Sequence, residues 1–284
     1  MVLKMKCLNL GCGTRFHTQW SNVDFISTCK GVIALDLRKG IPFQDSYFDV
    51  VYHSHLLEHF PKNAALPFMM ECYRVLKPGG VIRVAIPDLE RIASLYLQAL
   101  EKASSGDEYW QHNYDWIMLE MYDQTVREYS GGEMGKYLEQ ETISNKQFVI
   151  DRIGIEGKKI IENAKTDRSF PMSLFSKRNI IIALRNPVML KNFLIERIVC
   201  AIPGKKWRWL QVGMFRDSGE IHKWMYDRYS LSKLLIDAGF KNPCLFTAVD
   251  SQIPNWKNFN MDTEPDGTVY KPDSIYIEGI KTRN

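Results

Sequence analysis

The chain has 284 residues, 45% of them hydrophobic, and 37 Lys/Arg against 33 Asp/Glu, a formal net charge of +4. That apolar content is ample for a packed interior and makes the protein globular. The six cysteines form no CxxC pair and none combines with the six histidines at finger-like spacing, which excludes structural zinc and a disulfide framework.

The chain opens on "MVLKMKCLNLGCG", with no apolar segment long enough for export, so a cytoplasmic protein is expected. "CLNLGCGTRF", Cys7 to Phe16, reads as a buried strand running into a turn with two glycines. Gly11 and Gly13 let the backbone turn sharply and approach a ligand at the carboxyl edge of a parallel sheet. Taken alone, "GCG" fits an ordinary strand-to-turn connection equally well. The next two strands, "SNVDF" and "VIALDL", add Asp24 and Asp36 at the same edge. Carboxylates suit ribose hydroxyls and an exocyclic amine, whereas a phosphate is repelled and no Walker lysine follows the glycines. The expected ligand is a nucleoside without a pyrophosphate. Only about six residues separate Gly13 from Trp20, where a parallel crossover normally needs about ten to twelve. The first helix should therefore be vestigial, or "TRFHTQW" bridges the strands in an unusual way.

"FDVVYHS" is the fourth strand, and "YHSHLLEHF" behind it is the densest supply of bases in the chain. With a helix beginning near Leu56, His55 faces the cleft at its mouth, and Glu58 and His59 lie about one turn in. The helix-like "AALPFMMECYRVL" stops at "KPGG", and "GGVIRVAIPD" follows as the fifth strand. Asp88 at its end fits two roles equally, a group facing an acceptor and the N-cap of the helix "LERIASLYLQAL".

From 104 to 220 the pattern is helical, which makes this stretch an insertion, the acceptor lid, between core segments 1–103 and 221–284. "MLEMYDQTVREYSGGEM" places Tyr122, Asp123, Gln124 and Arg127 at helical spacing, suited to a sugar or phosphate, with a solvated face as the default. Residues 152–216 hold 14 Lys/Arg against 4 Asp/Glu, a local excess of +10. The apolar run 179–204 is interrupted by Arg185, Lys191, Glu196 and Arg197, far short of the ~20 apolar residues a membrane span needs. With "KKWRW" at 205–209, three readings stand in this order: a solvated helical surface, an anionic acceptor met at a membrane interface by residues 179–209, and RNA. Beyond 220, "HKWMYD" offers His222, Trp224, Tyr226 and Asp227 as an acceptor wall. A helix capped by Ser230 and closed by Gly239 follows, then two strands, "PCLFTAVD" and "SIYIEGIKT", that pair with each other and rejoin the sheet.

Together "LNLGCG", "NVD", "ALDLRKGIPFQDSYFDVVYHSHLLEHF" and "ECYRVLKPGGVIRVAIPD", in this order, resemble the class I S-adenosylmethionine (SAM)-dependent methyltransferases. More narrowly they look like a branch found with sugar and surface-glycan biosynthesis, which also carries "HKWMYD" before a helix ending in "AGF". The resemblance covers about residues 5–100 and 220–282. It implies an α/β, Rossmann-like, seven-stranded, mostly parallel sheet with an antiparallel last strand and SAM over the ends of strands one to four. By motif, Gly11, Cys12 and Gly13 would line the methionine part of SAM through backbone contacts and Asp24 would hold the ribose hydroxyls. Asp36 with Leu37 would sit by adenine, and His53 with Ser54 would close the pocket. Asn9 stands where many members carry an acid.

SAM's sulfonium already makes its methyl carbon electrophilic, so the enzyme mainly aligns the acceptor, and a sugar hydroxyl also gains from a general base. The expectation is O-methylation of a sugar hydroxyl in a glycan or glycosylated metabolite, with His55 as base, Asp88 second, S-adenosylhomocysteine (SAH) as product and no metal. The acceptor class expected is a nucleotide sugar or lipid-linked glycan, with Tyr122, Asp123, Arg127, His222, Trp224 and Tyr226 contributing to its site, and with contact at the inner membrane face. Two alternatives stay open: methylation of a non-sugar small molecule or nucleic acid, and a non-catalytic SAM-binding scaffold in a glycan assembly complex.

Overall fold

The computed structural model describes residues 5–27, 29–166 and 205–283. The described strands are β1 (Cys7–Leu10), β2 (Ser21–Asp24), β3 (Val32–Ala34), β4 (Phe48–Ser54), β5 (Leu76–Pro87), β6 (Lys241–Phe246) and β7 (Ser274–Ile280). They form one seven-stranded sheet of order β3-β2-β1-β4-β5-β7-β6. β1 to β5 run parallel, and β7 is antiparallel to both β5 and β6. This is the Rossmann-like order of the class I methyltransferase fold. The order reverses at β1, so the carboxyl ends of β1, β2 and β4 meet at the switch point where open α/β sheets bind ligands.

β1 is buried along its whole length because a central parallel strand is covered on both faces. One cover is α1 (Lys62–Val75) with α7 (Arg228–Asp237), which share a core of Leu8, Leu10, Phe68, Met69, Leu231 and Phe240. The opposite face carries Trp20, Tyr52 and Trp256, three aromatic residues brought from distant parts of the chain. Successive side chains of β4 alternate between these covers. Tyr52 meets Trp256, with ring centroids 5.3 Å apart, and His53 meets Phe68 of α1 at 5.4 Å.

Residues 11–20 contain no helix, so β1 reaches β2 through turns alone. The connection is stitched instead. Gly11 and Cys12 N–H both donate to Val23 O, and Asn9 Nδ2 donates to Arg15 O at 3.2 Å and to Asn22 Oδ1 at 3.3 Å. The Arg15 guanidinium then crosses to the 260–264 loop, donating to Asn260 O and Met261 O and pairing with Glu264 at 2.9 Å. Asn9 thus serves as internal glue.

Helices α2 (Leu89–Ser104), α3 (Glu108–Val126), α4 (Gly132–Leu138), α5 (Lys146–Thr166) and α6 (Lys205–Asp217) fill the stretch between β5 and the last part of the core. Glu120 of α3 pairs with Arg152 of α5 at 2.6 Å, both almost fully buried, and Trp116 Nε1 also donates to Glu120. α5 breaks its helical backbone at Gly154, with φ +65°. A Cβ there would collide with Tyr270 O and Pro272 Cδ, so only glycine lets α5 approach the strand-leading loop this closely. The apolar run 179–204 lies outside the described residues. Among those described, no helix is long and apolar enough to cross a membrane.

Three boundaries differ from the sequence reading. The helix after β4 starts at Lys62 behind Pro61, and the segment holding Glu58 is a 3-10 turn, Leu57–His59. Pro61 sets that start, because proline pre-shapes a first turn and disfavours helix in the residue before it. α7 is capped by Asp227, whose side chain accepts from Ser230 N, with Ser230 returning the bond as the third helical residue of a capping box. β3 ends at Ala34, so Asp36 lies beyond the strand and caps a 3-10 turn, Leu37–Lys39.

Candidate active site

The glycine turn and the first acid are joined. Gly13 N–H donates to Asp24 Oδ2 at 2.7 Å, while a Cβ on Gly13 would meet nothing within 4 Å. The turn therefore presents an open face with a carboxylate beside it. Among the described residues the second oxygen of Asp24 has a single long contact, 3.4 Å from Ile26 N, and retains lone pairs for hydroxyl donors. Gly11 is different: its missing side chain makes room for Leu56, whose Cδ1 would lie 2.8 Å from a Cβ there. The N–H groups of Gly11, Cys12 and Gly13 are all spent on β2, so they are not what would grip a ligand; the open face of the turn remains. Cys12 is buried and burial pushes its thiol up to about 12, which keeps it neutral.

Asp36 and Leu37 follow β3 at the same edge. Asp36 takes two bonds from the Arg38 guanidinium, at 2.8 and 3.1 Å, which hold its carboxyl below the usual range. Arg38 is half exposed, so this partner sits at the solvent side. Leu37 is buried in the core beneath. An open glycine turn, one carboxylate beside it and a second just past the next strand fit a nucleoside.

At the end of β4 the picture departs from the sequence reading. His53 is fully buried against Phe68, with no hydrogen-bond partner on either nitrogen among the described residues, and burial lowers its imidazole to about 3. It faces α1 because β4 alternates, so it does not close a ligand pocket; Ser54, on the opposite face, is half-buried. His55 adopts a left-handed backbone, φ +50°. Its Nε2 lies 2.8 Å from Ser274 Oγ, its Nδ1 3.4 Å from Glu58 Oε1, and burial drives its pKa well down, leaving a neutral imidazole.

Glu58 is 1% exposed, and among the described residues neither carboxyl oxygen has a hydrogen-bond partner. Burial raises it to about 8. Its backbone carbonyl accepts from Lys223 N at 2.7 Å and Trp224 N at 3.2 Å, which docks the 221–224 segment onto the turn. That docking places buried His222 with Nε2 4.0 Å from Glu58 Oε1, and its ring centroid 4.9 Å from that of His59. No local spacing could have signalled this, because His222 lies 163 residues beyond His59 in the chain.

Three other expected acceptor groups, Asp123, Arg127 and Tyr226, turn out to be internal, and Asp88 serves as a helix cap. Asp88 caps α2, accepting from Arg91 N at 3.0 Å, although it also lines a 440 Å³ cleft with Arg91, Arg228, Ser274 and Tyr276. Asp123 pairs with Arg127 at 2.6 Å and accepts from Glu133 N, and Arg127 also reaches Glu220 at 3.2 Å. Both are buried by α4, so neither is presented to an acceptor. Tyr226 is 4% exposed, and it bridges to Asp88 through the backbone. Tyr122 and Trp224 are exposed; Lys62 lies over the Trp224 ring at 4.3 Å.

Residues 27–84 match the family model described as a methyltransferase domain. Over 58 residues the chain is 40% identical to a protein of Mycolicibacterium smegmatis described as a "probable S-adenosylmethionine-dependent methyltransferase". That alignment takes in 19% of this chain and 22% of that one. Over 64 residues it is 39% identical to a sterol 4-C-methyltransferase of Caenorhabditis elegans, covering 22% of this chain and 18% of that one. The chain spans about a fifth of the length of these curated relatives. Among solved structures, a SAM-dependent methyltransferase from Archaeoglobus fulgidus overlays with a TM-score of 0.37 at 12% identity, covering 98% of this chain and 86% of that one. One from Thermotoga maritima, titled a possible histamine N-methyltransferase, gives 0.38 at 14% identity over 99% of this chain and 84% of that one.

Proposed function

We propose that this chain, which carries a SAM-dependent methyltransferase domain, methylates an oxygen acceptor, a sugar hydroxyl of a glycan or glycosylated metabolite. The observation that carries the choice of oxygen is the group of neutral imidazoles and one buried carboxyl at the end of β4, beside the glycine turn that Leu56 touches. A thiolate or neutral amine gains little from such a base, whereas a hydroxyl, a poor nucleophile, gains more. The sugar class follows from the likeness of "HKWMYD" and the surrounding motifs to the glycan-associated branch, and exposed Trp224 and Tyr122 offer apolar faces for a ring.

Bound SAM supplies an electrophilic methyl carbon. The chain does the rest. The open turn at Gly13 and the Asp24 carboxylate would orient the nucleoside, and Asp36 with Leu37 would receive its base. With His55 Nε2–H donated to Ser274 Oγ, the lone pair rests on Nδ1, which would take the acceptor hydroxyl's proton as the methyl–oxygen bond forms and the methyl–sulfur bond breaks, releasing SAH.

The test is incubation of the purified protein with SAM and, separately, nucleotide sugars, lipid-linked glycans, amines and RNA, following SAH release and the mass of the acceptor. SAH release with a methylated sugar supports the reading. Methylated RNA or amine with untouched sugars replaces it, and SAM binding without turnover on any acceptor favours a scaffold.

A further inference from the structure

We infer that Glu58, His59 and His222 form a binding site for a divalent transition-metal ion. One carboxyl oxygen and one nitrogen from each imidazole lie within 4.8 Å of one another. Ligands at about 2.1 Å from a tetrahedral ion are about 3.4 Å apart. The 4.0 Å between Glu58 Oε1 and His222 Nε2 must close by about 0.6 Å and the widest pair by up to about 1.4 Å, within the reach of side-chain rotations.

The surroundings are those of a ligand set. His59 Nδ1 lies 3.1 Å from Ile221 O, and a carbonyl only accepts, so Nδ1 carries the proton and Nε2 keeps its lone pair. A backbone carbonyl fixing the tautomer of an imidazole is how proteins orient histidine ligands. Glu58 is buried with both oxygens unpartnered among the described residues, an arrangement costly for a carboxyl unless something else satisfies it. Nearby cations are committed elsewhere: Lys271 to Glu156 at 3.1 Å, Arg127 to Asp123 and Glu220. Two imidazoles and one carboxylate favour zinc, cobalt, manganese or iron over magnesium or calcium, which prefer all-oxygen shells.

Three chain segments supply and hold the set. The 3-10 turn behind β4 gives Glu58 and His59, the 221–224 segment gives His222, and the end of α3 pins the latter, since Gln124 O accepts from His222 N at 2.9 Å. His55, with Nδ1 3.4 Å from Glu58 Oε1, stands next to the site, so an acceptor oxygen bound to the ion would lie close to the base.

The experiment is titration of chelator-treated protein, without SAM or acceptor, with Co2+ followed by visible absorption and calorimetry, then competition with Zn2+. The expected result is one equivalent of Co2+ bound with a d–d band that Zn2+ displaces, and affinity at least about tenfold weaker in Glu58→Gln and in His222→Gln. The proposal is overturned by wild-type protein that binds no Co2+ or Zn2+, or by folded variants, judged by circular dichroism, that bind as wild type does. If Glu58→Gln does not fold, His59→Gln and the wild-type titration decide. Because no methyl transfer is measured, this result and the fate of the proposed function are independent.

Discussion

Asp24 Oδ2 accepts the Gly13 backbone N–H at 2.7 Å, so the turn that ends β1 and the acid that ends β2 behave as one unit. With the first helix missing, this contact and the two N–H groups on Val23 O help to hold the turn in place. Asp24→Asn keeps the shape and removes the charge. It should weaken SAM binding by about 1.5–3 kcal/mol, the worth of hydrogen bonds to a charged group. Calorimetric titration with SAM and SAH reads it, and an unchanged Kd removes Asp24 from the ribose.

Asp36 faces a competing partner in Arg38. Asp36→Ala should weaken SAM binding by about 1–3 kcal/mol, the cost of an unmet donor. Arg38→Ala should leave the affinity at or above that of the wild type. Equal losses in the two variants would mean that Asp36 serves only the ion pair.

His55 sits at φ +50°, a region asparagine tolerates well. His55→Asn therefore removes the base with little backbone cost. Turnover on a hydroxyl acceptor should fall by about 10²–10⁴ while SAM affinity holds. Single-turnover kinetics with a saturating acceptor check it; full activity transfers the base role to Asp88 or removes the need for one.

Arg83 is fully buried in β5 and pairs with Asp262 at 2.8 Å and Glu278 at 2.7 Å. Tyr52 also donates to Asp262, at 2.6 Å. Arg83→Met leaves two buried carboxyl groups without their counter-charge. The expected loss is about 3–5 kcal/mol, or on the order of 10 °C in Tm, by urea and thermal unfolding. A loss under 1 kcal/mol would mean that the carboxyls are satisfied without the arginine.

Gly154→Ala should cost more than about 1 kcal/mol, because the φ is unsuited to alanine and the new methyl meets Tyr270 O and Pro272. The damage should stay in the helical insertion. Hydrogen exchange should rise in α3 and α5 with little change in β1 and β4; uniform loosening would show that insertion and core unfold together.

Much of the core was legible because its signals are local. The buried run "CLNL", the glycines behind it and the acids after β2 and β3 all lie within 30 residues, and a parallel strand's burial on both faces writes itself as continuous apolar sequence. The short link between Gly13 and Trp20 likewise foretold a connection without a helix. The misplacements have local causes too. Pro61 moved a helix start, and Asp227 outcompeted Ser230 as cap because its carboxylate accepts from the third helical N–H while Ser230 returns the bond.

The acceptor side was not legible, for a different reason. Asp123 and Arg127 read as a polar helical face, yet α4 folds over them and turns them into an internal pair. His53 read as pocket-lining until the alternation of β4 and the position of α1 turned it inward.

By itself, then, the sequence determined the strand order's raw material, the glycine turn and its two acids, since each depends on residues that are neighbours in the chain. Only tertiary structure decided which polar groups face one another at the end of β4. Glu58, His59 and His222 meet because backbone hydrogen bonds dock the 221–224 segment onto a 3-10 turn 163 residues earlier, and no periodicity in a linear chain encodes a contact across that distance.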